Sequence, residues 1–229
     1  MRSAPRQLAL ALKHSESFAR EDFLSGACNA AALALIEAWP QWPGNAVILT
    51  GPEGCGKSHL AAIWADRAGA RTIAARALNR LAVPGALATG ALVIEDLIPQ
   101  AFDERALFHL LNLAREEDAF VLMSARSAPA GWTFAIPDLA SRLKAIPQVA
   151  LSAPDDALLR AVLVKLFTDR QIAVDESLIV YLSRRMERSF AAVRAVVARL
   201  DEEAMRRKRP LTRTLAAEVF DSVFGSASD

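Results

Sequence analysis

The stretch AVILTGPEGCGKSHL (46–60) decides the fold. AVILT (46–50) is a short apolar run that stops at Gly51, which predicts a buried strand. SHLAAIWADRAG (58–69) carries helical periodicity and ends on a glycine stop. Between them, GPEGCGKS (51–58) matches the G-x4-G-K-[ST] phosphate loop in its proper place, with a strand before it and a helix after it. Gly51 and Gly56 permit the tight backbone path. The loop residues Pro52, Glu53, Gly54 and Cys55 and the helix start at Lys57, Ser58 and His59 would border the phosphates of a bound nucleotide, all but Pro52 offering a backbone N–H. Lys57 would neutralise the β and γ phosphates, and the Ser58 hydroxyl would reach Mg2+.

Working outward, ARTIAA (70–75), ALVIED (91–96), AFVLMSA (119–125) and PQVALS (147–152) read as further strands. Helical segments alternate with them, including one that opens at Asp103. This alternation predicts an α/β domain with a mostly parallel five-stranded sheet covered by helices on both faces. LVIED ends in Glu95 and Asp96 at a strand's carboxyl edge, where ligands bind in open α/β sheets. One acid would hold Mg2+, with Glu95 the candidate ligand, and the other would orient or activate water.

After Pro154 the pattern changes, and DDALLRAVLVKLFTDR, ESLIVYLSRRM, FAAVRAVVARLDEEAMRRK and TRTLAAEVFDSVF all read as amphipathic helices. The expected division is a front peptide over 1–14, an α/β domain over 15–153 and a small helical domain over 154–229.

Composition sets outer bounds. The 229 residues are 53% hydrophobic, which argues against disorder. Lys and Arg number 27 against 26 Asp and Glu, so no global basic field argues for strong direct DNA binding. Cys28 and Cys55 lack metal-ligand spacing and fit a reducing compartment. The apolar hexapeptide QLALAL (7–12) is too short for a signal-peptide core, and no run approaches the roughly 18 residues of a membrane span. A cytoplasmic protein with no membrane partner is the expectation.

The order of motifs resembles the AAA+ class and, within it, the DnaA-type initiator branch. The residues that carry the resemblance are FLSGACNAAALALIEAW, GPEGCGKSHL, LVIEDL, VLMSARSAP and PDLASRLKAI, spread over about residues 18–220. The C-terminal DNA-binding domain of DnaA proteins has no counterpart before Asp229, and QLALAL stands where their long N-terminal region would be. QLALAL resembles the peptide by which replication proteins dock on the sliding clamp. A short AAA+ chain with such a peptide resembles the Hda/HdaA family of DnaA-related regulators.

That resemblance implies a regulatory adaptor which binds ADP or ATP and the sliding clamp, and stimulates hydrolysis of DnaA-bound ATP to restrain replication initiation. It implies that Gln7 fills a polar niche on the clamp and that Leu8, Leu10 and Leu12 supply apolar contacts. Packing of the same peptide on the chain's own core is the competing reading. Arg142 matches the arginine finger and Ser124 the sensor-1 position. Ala125 replaces a residue that is often polar or acidic in DnaA proteins, which implies weak intrinsic hydrolysis. Arg126 is either a second polar contact or a surface charge.

Ala191 falls where sensor 2 holds an arginine. Arg188 or Arg194 would substitute, with Arg188 preferred, or each is simply solvated. Phe23 and Leu24 are candidates for the adenine pocket or for core packing. The basic run RRKR (206–209) would reach DNA or a partner, or form a solvated helix end. Head-to-tail contact between AAA+ domains makes a homodimer an expectation. A helicase-loader or transposition-type ATPase is the alternative function.

Overall fold

A computed structural model describes residues 18–223, with side chains described through Phe220. The elements run α1 (Ala30–Glu37), β1 (Ala46–Thr50), α2 (Lys57–Ala68), β2 (Arg71–Ala74), α3 (Val83–Ala86), β3 (Ala91–Leu97), α4 (Glu104–Glu116), β4 (Phe120–Ala125), α5 (Pro137–Ala145) and β5 (Gln148–Ala150). Four more helices follow: α6 (Asp156–Asp169), α7 (Glu176–Arg185), α8 (Phe190–Arg207) and α9 (Arg213–Val223). The strands form one sheet in the order β2-β3-β4-β1-β5, and every neighbouring pair is parallel.

Alternation along the central strands divides the core in two. Ile48, Leu92, Ile94, Val121 and Met123 face α4 and α5, while Val47, Leu49, Val93 and Leu122 face α1 and α2. β1 is buried at every position, as a central parallel strand covered on both faces must be. Trp64 of α2 is fully buried and stacks on Trp42, with ring centroids 5.0 Å apart. Helices α6 to α9 enclose a separate core built on Leu159, Leu163, Phe167, Leu182, Val193 and Leu215. The expected sheet and its helical layers are thus present, and the C-terminal helices surround a core of their own.

Helix starts follow local chemistry. The carboxylates of Asp103, Asp155 and Asp175 and the hydroxyl of Ser189 each accept a backbone N–H from the first turn of α4, α6, α7 and α8. The short α3 is an unexpected element. Its sequence VPGA holds a proline and a glycine, and Val83 and Ala86 are buried against the sheet, so tertiary packing selects the turn.

At the end of α8, the run RRKR largely turns back on the protein. Glu203, almost fully buried, accepts from Arg206 at 2.6 Å and Arg207 at 3.0 Å, and Arg199 lies at 3.2 Å. Arg206 foremost, by its hydrogen bond, holds the Glu203 carboxyl below the ordinary range. Arg207 and Arg209 also approach Glu218 of α9. No helix among the described residues is long and apolar enough to cross a membrane.

Candidate nucleotide site

The loop 51–56 leaves β1 at the carboxyl edge of the sheet and feeds directly into α2. Gly51, Gly54 and Gly56 hold φ of 149°, 72° and 104°, values that side chains with a Cβ rarely adopt. Space is also closed. A Cβ on Gly51 would lie 2.3 Å from the Leu151 carbonyl oxygen, and one on Gly54 would lie 2.8 Å from the Ser189 Cβ. Gly56 sits 3.6 Å, measured from such a Cβ, from the rings of both Phe23 and Phe190. The loop is therefore a tight backbone cradle at a helix N-terminus, the arrangement that presents amides to an anion.

Lys57 begins α2 and is buried. Its ammonium donates to the Gly51 and Pro52 carbonyls at 2.8 and 2.7 Å, and Cys55 Sγ lies 3.8 Å away. A buried cation at the rim of an amide cradle suits a phosphate, because both groups favour negative charge there. Ser58, next along α2, is exposed. Its hydroxyl, with Glu95, offers the hard oxygen donors that Mg2+ takes beside phosphate oxygens.

β3 and β4 bring the other candidates to the same edge. Leu49 of β1 is in register with Ser124 of β4, and β4 pairs in turn with β3. The β3–β4 register shifts between Ile94 and Leu97, and Asp96 takes φ 57° in that bulge. The buried Ser124 hydroxyl accepts the Asp96 backbone N–H at 3.1 Å, so the sensor-1 candidate anchors the strand end that carries both acids. Glu95 is half-buried and Asp96 exposed.

The segment before α1 wraps this site. Phe23 is buried and meets the His59 ring edge-on with centroids 5.2 Å apart, and His59 Nε2 lies 3.1 Å from the Ala19 carbonyl. Asn29, buried in the same loop, accepts the Gly26 N–H at 2.8 Å and donates to the Leu24 carbonyl at 3.1 Å. It thereby fixes the half-buried Leu24 next to Phe23. Cys28 lies in this loop as well. Burial foremost, with Asp155 and Cys55 nearby, pushes its thiol up.

The helical layer reaches the loop directly. Phe190 N–H donates to the Gly54 carbonyl at 2.8 Å, and Ala191 Cβ would stand 3.1 Å from a Cβ on Gly54. The position expected for sensor 2 is therefore in contact with the phosphate loop, but it carries a methyl group. Arg188 does not share its helical face, because α8 begins only at Phe190 after the cap Ser189. Arg188 is exposed and pairs with Asp156 at 2.9 Å, while Arg194 is half-buried on α8. Lys165 of α6 adds a second tie, bridging Asp22 at 2.5 Å and Asp169 at 2.8 Å. Its hydrogen bonds to these two carboxylates, Asp169 first, raise its pKa.

Two remaining candidates have defined partners. Arg126 pairs with Glu53 of the loop at 2.7 Å, with both side chains largely exposed. Arg142 is half-buried on α5, hydrogen-bonds Asn112 of α4 and lies 5.3 Å above the Phe108 ring. Gln7, Leu8, Leu10 and Leu12 lie outside the described residues. Ser189 and Phe190 were not singled out in the sequence as loop contacts, although Ser189 before an apolar helical run is a readable cap. Nothing local indicates that this cap rests on Gly54.

No protein-family model and no curated protein sequence matches the chain. Solved structures do match it. Domain III of the replication initiation protein DnaA from Thermotoga maritima superposes with TM-score 0.75 and 17% identity, over 90% of this chain and 96% of that one. The AMPPCP-bound DnaA from Aquifex aeolicus gives TM-score 0.65 and 17% identity, over 82% and 68%. The Holliday junction branch migration motor RuvB from Thermotoga maritima gives 0.71 and 17%, over 90% and 72%. The chain shares its fold with domain III of DnaA and with RuvB.

Proposed function

We propose that this chain is a DnaA-related regulatory adaptor of the Hda type, which binds ADP or ATP with Mg2+ and acts on DnaA while tethered to the sliding clamp. The observation that carries nucleotide binding is the closed glycine cradle around Lys57, whose neighbours a Cβ would strike. The AMPPCP held by the similar Aquifex aeolicus DnaA supports an adenine nucleotide as the ligand. In this reading the loop amides and Lys57 hold the phosphates, Ser58 and Glu95 hold the metal, and Phe23 and Leu24 border the base. Helices α6 to α9 act as a lid whose α8 start rests on the loop.

Clamp tethering rests on QLALAL (7–12), a glutamine followed by spaced leucines, the chemistry of an extended peptide docking into a polar niche and an apolar pocket. Its test is binding of the full chain to purified clamp. Gln7→Ala with Leu10→Ala is expected to weaken binding by about 2 kcal/mol or more, roughly thirtyfold, because such anchors dominate small interfaces. Failure of the intact chain to bind would remove the adaptor role and favour the loader-type ATPase. The Asp96–Ser124 bond favours that second reading, since it holds two acids at the sheet edge where hydrolysis would occur.

Action on DnaA is assigned to Arg142, delivered in trans to the transferring phosphoryl group. Its Asn112 and Phe108 contacts hold the guanidinium between α4 and α5. Arg142→Ala is expected to leave clamp and nucleotide binding within twofold of wild type and to lower stimulated hydrolysis by DnaA about 100-fold or more. Unchanged stimulation would exclude Arg142 from the role.

A further inference from the structure

Six of the eleven arginines between Asp156 and Phe220 have acidic partners. Arg170, Arg188, Arg199, Arg206, Arg207 and Arg209 each pair with a carboxylate. Arg184, Arg185 and Arg213 pair with none among the described residues, and all three line one pocket of about 440 Å³ between α7 and α9. Unpaired cations normally separate, because they repel one another. Here they line one pocket, and two of them flank an aromatic ring. The Arg185 guanidinium lies 4.4 Å from the Tyr181 ring centroid and that of Arg213 lies 5.4 Å from it. Stacking on the ring pre-orients planar donor forks that carboxylates and phosphates accept in pairs. Tyr181 is in turn packed edge-on against Phe220, which fixes the platform.

The rest of the lining selects between anions. Glu176, Ser177 and Val180 of α7 line the same pocket, and the Ser177 hydroxyl donates to the Asp175 carboxylate at 2.8 Å. Asp175, whose carboxyl is held low chiefly by the Leu178 N–H and then by the Ser177 hydroxyl, with the Arg213 charge contributing least, is adjacent. A nucleic-acid backbone offers only acceptors to Glu176, which can itself only accept. A peptide offers carboxylates to the arginines, backbone N–H donors to Glu176 and Ser177, and an aliphatic surface to Val180.

We propose that the pocket between α7 and α9 binds an acidic peptide segment of a partner protein, its carboxylates received by Arg184, Arg185 and Arg213. This surface lies on the helical layer and does not depend on the nucleotide-site or clamp assignments.

The test is fluorescence anisotropy of the full chain with fluorescein-labelled hexaglutamate, with a hexalysine peptide and a twelve-nucleotide single-stranded DNA as comparison probes. Saturable binding of hexaglutamate at physiological ionic strength, with none of hexalysine, is expected. Arg185→Ala with Arg213→Ala should weaken it about tenfold or more, as loss of desolvated charge partners does. Arg184→Ala should weaken it as well, and because Arg184 makes no contact with the Tyr181 ring among the interactions described, its melting temperature should match wild type. Absence of saturable hexaglutamate binding, or affinity unchanged in these variants, would overturn the proposal. Tighter binding of the oligonucleotide, lost in the same variants, would overturn it in favour of a nucleic-acid site.

Discussion

Replacing Lys57 by alanine is expected to weaken adenine-nucleotide binding by about 1.5–3 kcal/mol, roughly ten- to a hundredfold, the usual worth of a hydrogen bond to a charged group. The ammonium lies in the concavity of the loop, 2.8 Å from the Gly51 carbonyl and 2.7 Å from that of Pro52. No other lysine is buried among the described residues, so no second lysine stands ready to replace it. Titration calorimetry with ADP and with ATP, each with Mg2+, measures the effect. Wild-type affinity in the variant would remove Lys57 from the phosphate site. The same substitution frees two loop carbonyls, so the melting temperature must be recorded alongside. The stacked pair of Trp64 on α2 and Trp42 before β1 gives an intrinsic fluorescence signal for it.

Gly51→Ala is expected to be the most damaging single-methyl change in the chain. The new Cβ would stand 2.3 Å from the Leu151 oxygen, a backbone atom, at φ 149°. Neither side can yield cheaply. Leu151 N–H donates to the Thr50 carbonyl at 2.7 Å, and Gly51 N–H donates to the Ala125 carbonyl at 3.2 Å, so the junction is stitched to both neighbouring strand ends. A cost of about 3 kcal/mol or more is expected from overpacking and strain together. For a chain of this size that lowers the melting temperature by roughly 6–12 °C. Gly85→Ala is the control. Its Cβ would meet nothing within 4 Å inside the α3 turn, and the expected change is neutral to slightly stabilising. A thermal melt of Gly51→Ala matching wild type would show that the loop accommodates a Cβ, and the cradle argument would fail.

Much of the site was readable because its chemistry is local. A strand, a glycine turn and a helix start are written in consecutive residues, so GPEGCGKS declares both its conformation and its suitability for phosphate. The two acids of LVIED are likewise readable, since a buried run that ends in Glu95 and Asp96 can leave them only at a strand end. The five strands and the change to helices after Pro154 follow from periodicity, and the caps Asp103, Asp155, Asp175 and Ser189 follow from single residues.

What sequence could not decide were contacts between segments far apart in the chain. Arg188 stands three residues before Ala191 in the sequence. Spacing places side chains on one face only inside a helix, and the backbone at Arg188 is not helical. Arg126 carried two equal readings, and only the folded chain brings it to Glu53. RRKR looked available as a whole, yet a buried Glu203 and a facing Glu218 engage three of its four residues.

By itself, then, the sequence determined the strand–loop–helix cradle, the parallel α/β layering and the helical character of the C-terminal part, because each depends on neighbours along the chain. Only the tertiary structure decided that Ser124 holds the Asp96 backbone, that the start of α8 rests on Gly54, and that Arg184, Arg185 and Arg213, without carboxylate partners among the described residues, line one pocket. Those are long-range contacts, and their partners are chosen by the packing of whole elements, which no window of sequence contains.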